Sequence, residues 1–157
     1  MKTHLDPQKT TPIGLARYAC DYYDAAMAAD DALGDRPGYE FNAPIPVMYL
    51  VGQSIELCLK SYLVFKGVSL VDIKSKKYGH DLEACLTKAE DMNLSKLVQL
   101  DADDRKILRV LNRLYSTKQL NYIETGWKEF PVFGPLETLC EKLLEAICLA
   151  VGYHKDA

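Results

Sequence analysis

Residues 44 to 66, PIPVMYLVGQSIELCLKSYLVFK, constrain the fold more than any other stretch of the chain. Their apolar residues recur with the period of an α-helix. Met48, Val51, Ile55, Leu59 and Tyr62 form one stripe, and Leu50, Leu57 and Val64 form a second on roughly the opposite face. A helix that is apolar on two faces needs several neighbours to cover it, so this segment is expected to be the central helix of a bundle. Gly67 follows directly and supplies the helix stop.

The rest of the chain reads the same way. Thr11 and Pro12 are suited to the N-cap and first position of a helix over 12–33, with Leu15, Tyr18, Tyr22, Ala26 and Ala29 at helical spacing. GDRPGYEFNAP is a loop by its Gly, Pro and Asn content. VSLVDIKSKKY is a Lys-rich connection with room for one short turn. A further helix starts around GHDLEACLTKAEDM, with Asp81 and Glu83 in its first turn, where the helix dipole favours acid. NLSKLVQL has the length of another short helix. Asp101 is suited to cap the next one, DADDRKILRVLNRLYSTKQL, whose core face is Ile107, Val110, Leu111 and Leu114. Residues 121–134 read as an aromatic-rich loop. The last helix is expected from Pro135 to about Gly152, with Leu136, Leu139, Cys140, Leu143, Ile147 and Val151 inward. No stretch alternates with period two. The expected fold is all-α, an up-and-down antiparallel bundle of four to five main helices. The expected organisation is a flexible arm over 1–10 and one domain over 11–157, a length sufficient for a single core.

Charge and cysteine content narrow the setting. A net charge of −3 gives no global positive field for nucleic acid, so such contact would need a local basic patch. The 5 cysteines include no C-x-x-C pair and all sit in helical, apolar contexts, which predicts reduced thiols in a cytoplasmic protein. MKTHLDPQKTTP lacks the apolar run of a secretion signal, and LLEAICLAV is too short to span a bilayer, so no membrane association is expected.

Most familiar chemistry is absent from the pattern. His4, His80 and His154 are scattered without ligand spacing, so no metal is expected, and no glycine-rich phosphate loop or other cofactor motif occurs. Arg105, Arg109 and Arg113 form a row at i, i+4 and i+8, either a phosphate-tracking basic face or a solvated helix edge. The strip Gln53, Glu56 and Lys60 lies between apolar stripes. Partial burial is therefore expected there, and buried charges persist only when paired. Such a pair either orients neighbouring helices or awaits a ligand.

QSIELCLKSYLVFKG, followed after a Lys-rich linker by KYGHDLEACLTKA, resembles one branch of the HEPN domains (higher eukaryotes and prokaryotes nucleotide-binding). That branch has an apolar helix with E-x-x-x-K and then a G-H-[DN]-L helix start. LNRLYSTKQLNY resembles a later family segment in which a Tyr precedes an L-R-Y-like element. The likeness spans roughly residues 45 to 125. It implies a helical bundle, often a homodimer, among nucleotide- or RNA-directed proteins of toxin–antitoxin and defence systems. By position, the shared polar residues are Glu56, Lys60, His80 and Asp81, with Tyr115 and Tyr122 matched in the later segment.

The chain departs from the family where cleavage chemistry resides. Active HEPN ribonucleases carry Arg, four to six residues, then His, and none of Arg17, Arg36, Arg105, Arg109 or Arg113 is followed by His at that distance. Lys74 precedes His80 with similar spacing but lacks the guanidinium fork. Asn121 stands where the Arg of the L-R-Y-like element is expected. The leading expectation is a non-catalytic HEPN-like domain that binds a nucleotide, RNA or a partner protein such as an antitoxin. In it, Lys60 and His80 would contact a phosphate while Glu56 fixes Lys60. The alternatives are a divergent metal-independent ribonuclease using His80 as general base with Lys60 or Lys74 in support, and a structural dimerisation module.

Overall fold

A computed structural model describes residues 6–122 and 128–155. Helix starts follow the caps that the sequence offers. Thr11 accepts a hydrogen bond from the Gly14 amide at 3.0 Å and opens α1, Pro12–Leu33. Helix α2, Ile45–Phe65, begins after Pro44. Ser69 caps the one-turn α3, Leu70–Ile73, inside the Lys-rich connection. Asp81 is itself the N-cap of α4, Leu82–Asp91, one residue later than expected. A single 3₁₀ turn, Leu94–Lys96, follows. Asp101 and Asp104 form a reciprocal capping box at the start of α5, Ala102–Tyr115. Helix α6, Phe133–Val151, starts two residues before the expected Pro135.

The described residues contain no strand and form an all-α bundle. Helix α2 is its centre and packs against each of the other five helices. Met48, Val51, Ile55, Leu59 and Tyr62 are all buried, while Leu50, Leu57 and Val64 are partly buried against the same core. The Tyr62 hydroxyl donates to the Met92 carbonyl at 2.7 Å and so ties α2 to the end of α4. The inward residues expected on the last helix, Leu136, Leu139, Cys140, Leu143, Ile147 and Val151, are all buried, joined by Leu144.

One helix is rotated from expectation. The face of α1 that meets α2 is Ala16, Ala19 and Ala26, whereas Tyr18 is 59% exposed. The tyrosines have the larger apolar area, but the alanines allow the two backbones to come close. At that short range, buried Ser54 donates to the Ala19 carbonyl at 2.7 Å and buried Ser61 donates to the Pro12 carbonyl at 2.6 Å. These hydroxyls satisfy themselves on a neighbouring helix and need no water. His4, residues 1–5 of the expected arm, and residues 123–127 of the expected aromatic loop lie outside the described residues.

Candidate functional site

Glu56 lies near the middle of α2 and is 5% exposed. Both of its carboxylate oxygens are engaged. Oε2 accepts from Lys60 Nζ at 2.9 Å, one helical turn onward. Oε1 accepts from the Tyr115 hydroxyl at 2.8 Å and faces His80 Nδ1 at 2.8 Å. Lys60, 7% exposed, also donates to the Gly79 carbonyl at 2.6 Å. Gly79 takes φ 43, a left-handed conformation in the turn before α4. The Glu56–Lys60 strip is therefore a buried ion pair that also holds a loop. Every buried side-chain nitrogen and oxygen among the described residues has a partner.

The electrostatics match this geometry. Burial by itself raises the Glu56 carboxyl. The Lys60 ammonium and the hydrogen bonds from Lys60, His80 and Tyr115 outweigh it and hold the group below the ordinary carboxylate range. Burial, and after it the Glu56 charge and hydrogen bond, push the Tyr115 phenol upward, so it remains a donor. An ionised Glu56 only accepts, so the proton between it and His80 belongs to Nδ1. The other ring nitrogen, Nε2, then faces away from the carboxylate. The His80 side chain is 50% exposed, against 6% for Glu56.

Two residues without a sequence motif complete the arrangement. Asn112, buried on α5, accepts from the Leu82 amide at 2.8 Å and donates to Asp81 Oδ1 at 3.0 Å. Asp81 Oδ1 also accepts from the Ala84 amide at 3.1 Å. Asp81 is thus a helix cap clamped from α5, and it fixes the turn that carries His80. Gly52, one turn before Glu56, is the second. A Cβ built there would lie 2.6 Å from Tyr115 Cε1 and closer still to Cδ1. Only a bare backbone leaves room for the Tyr115 ring. An isolated glycine within an apolar helix is the sequence signal for such an approach, and nothing in the sequence marks Asn112.

His80 opens onto a small cavity of about 60 Å³ lined by Tyr49, Gln53, His80, Tyr115, Lys118 and Asn121. Tyr115 stands edge-on to the imidazole, with ring centroids 6.3 Å apart. Gln53 Nε2 donates to the Tyr49 hydroxyl at 3.0 Å, which leaves the Tyr49 proton to be offered elsewhere. The structure brings Glu56, Lys60, His80 and Tyr115 together, with Asp81 adjacent. Tyr122 is 70% exposed and does not line this cavity. Lys74 ends α3 and is also outside the lining.

Each arginine of the row faces a carboxylate. Arg105 makes a two-pronged pair with Glu90 at 2.8 and 2.6 Å, Arg109 faces Glu83 at 3.9 Å, and Arg113 faces Glu129 at 3.3 Å. A groove of about 450 Å³ beside them is lined by Arg105, Lys106, Arg109 and Arg113 together with Asp103 and Glu129. A third cleft, about 410 Å³ near Phe41 and Phe133, is lined by Asp30, Asp31, Asp35 and Glu40, a setting that repels phosphate. Among the described residues, no group of His, Cys, Asp or Glu is arranged to hold a metal ion, and no helix is long and apolar enough to cross a membrane.

Comparison with protein-family models, with curated proteins and with solved structures gives no match to this chain. The class defined by the fold is an all-α helical bundle with a buried Glu–Lys–Tyr cluster that reaches the surface through one histidine.

Proposed function

We propose that the chain is a HEPN-like helical domain that binds a nucleotide or RNA at the His80 cavity without cleaving it. One observation carries the reading. Of the four clustered side chains, His80 alone is half exposed, and a buried carboxylate fixes its ring and tautomer. A carboxylate behind Nδ1 presents Nε2 in one orientation, so little rotamer freedom is lost on binding. Lys60 has a different role from the phosphate contact first expected. Its ammonium holds Glu56 and the Gly79 carbonyl.

The test is binding of ribonucleotides and short RNAs to the full chain by calorimetry. His80→Ala is expected to weaken binding about tenfold or more, the scale of one lost hydrogen bond, and to lower the melting temperature by no more than the loss of its hydrogen bond to Glu56 accounts for. Unchanged affinity in His80→Ala removes the site.

The carboxylate-oriented imidazole also favours a second reading, a metal-independent ribonuclease with His80 as general base. Cleavage of RNA in EDTA that disappears in His80→Ala would establish it. No cleavage of structured or single-stranded RNA leaves the binding role. The homodimer, an antitoxin-like partner protein and a defence setting rest on the family resemblance alone, and a cytoplasmic location rests on the unpaired cysteines.

A further inference from the structure

Three helices end in the same hydrogen-bond pattern, and one of them breaks its residue rule. After α2, the Val68 amide donates to the Leu63 carbonyl and the Gly67 amide to the Val64 carbonyl, with Gly67 at φ 101. After α6, Tyr153 donates to Cys148 and Gly152 to Leu149, with Gly152 at φ 85. After α5, Gln119 donates to Leu114 and Lys118 to Tyr115, with Lys118 at φ 61. This closure requires a left-handed residue, a position that glycine fills without strain. The chain uses glycine twice and lysine once. A left-handed lysine is strained, and strain of this kind tends to collect at functional positions.

Lys118 is the residue that lines the small cavity together with His80, Asn121 and Tyr49. None of the ion pairs among the described residues uses it. The negative end of the α5 dipole lies at this position and disfavours an anion unless a cation offsets it. Behind His80, the Glu56 and Lys60 charges cancel as a buried pair. The lining offers a cation, Lys118, and donors in the Asn121 amide and the Tyr49 hydroxyl. A water needs at least about 10–15 Å³ of such space. The cavity of about 60 Å³ has room for a tetrahedral oxyanion.

We infer that this cavity is a phosphoryl subsite, in which Lys118 grips the phosphate of a phosphate ester beside His80 while the rest of the ligand stays outside. The inference rests on the nucleotide-binding reading for what the phosphate is attached to, and on the Lys118 conformation for the phosphate itself.

The experiment titrates the ¹⁵N-labelled full chain with inorganic phosphate, AMP and adenosine, and repeats each titration with Lys118→Gly. Glycine relieves the left-handed strain while deleting the ammonium, so the variant is expected to melt at the same temperature or higher. Phosphate and AMP are expected to shift the His80, Lys118 and Asn121 signals, adenosine to bind far more weakly than AMP, and Lys118→Gly to weaken both phosphate-bearing probes about tenfold or more. Adenosine binding as tightly as AMP, with Lys118→Gly unaffected, overturns the phosphoryl subsite and leaves the nucleotide reading. AMP binding no more tightly than inorganic phosphate, with both lost in Lys118→Gly, supports the subsite and removes the nucleotide. No binding by any probe overturns both.

Discussion

Gly52 on α2 and Tyr115 at the end of α5 occupy each other's space. The Tyr115 ring lies where a Cβ of residue 52 would stand, and its hydroxyl reaches Glu56 one turn further along α2. Gly52→Ala is therefore a test of the whole cluster. Alanine gains about 1 kcal/mol of helix propensity over glycine. Overpacking a tight contact costs about 1–3 kcal/mol, and loss of the Tyr115–Glu56 hydrogen bond adds roughly 1 kcal/mol or more. The expected result is a lower urea midpoint in Gly52→Ala. Equal or greater stability would show that the ring yields easily.

Glu56 links stability to acid pH. Its carboxyl lies below the ordinary value of 4.5 in the folded chain. Its stabilising contribution is thus complete above that value and is lost as pH falls through the folded value. Glu56→Gln leaves Lys60 buried without its counter-charge and is expected to cost roughly 3–5 kcal/mol at neutral pH. Urea unfolding of both proteins from about pH 7 to about pH 3 should show the gap narrowing below the ordinary carboxylate range. A gap that stays constant across the range would remove Glu56 as the titrating group.

Asn112→Ala leaves the buried Leu82 amide without its acceptor and loosens the Asp81 cap. The expected cost is about 1–3 kcal/mol, the penalty of one unsatisfied buried donor. Hydrogen exchange at Leu82 is the local readout. If its protection falls no more than that of the α6 core, the clamp on the His80 turn is not local.

Thiol reactivity should divide the cysteines. Cys58, Cys85 and Cys140 are fully buried, and because burial pushes the Cys85, Cys140 and Cys148 thiols alike up to about 12, reagent access rather than thiol acidity separates them. Cys20 and Cys148 are partly exposed, with sulfurs 3.6 Å apart. A thiol reagent near neutral pH is expected to modify only Cys20 and Cys148 in the native protein, and all five in denaturant. Native labelling of Cys58, Cys85 or Cys140 would contradict the packing of α2, α4 or α6.

Much of the bundle is written in local chemistry. The stripes of α2 and α6, the Thr11 and Asp101 caps and the Gly67 stop depend on periodicity and on single residues, and each is legible in the chain. The burial of Glu56 and Lys60 follows from the same pattern, because apolar stripes on both sides leave little water there. The face of α1 was not legible. Residue size points Tyr18 inward, but helix separation favours Ala16 and Ala19.

The sequence by itself determined that this chain is helical, that residues 45–65 lie at its centre, and that a Glu–Lys pair is enclosed there. Only the tertiary structure decided which polar residues meet. Tyr115 reaches Glu56 from 59 positions away, and Asn112 clamps Asp81 from 31 positions away, while Tyr122 points to solvent and each arginine of the row faces a carboxylate of another segment. The reason is physical. Helical period is a property of neighbours along the chain, whereas a hydrogen bond between helices depends on the rotation and separation of both axes, which packing sets.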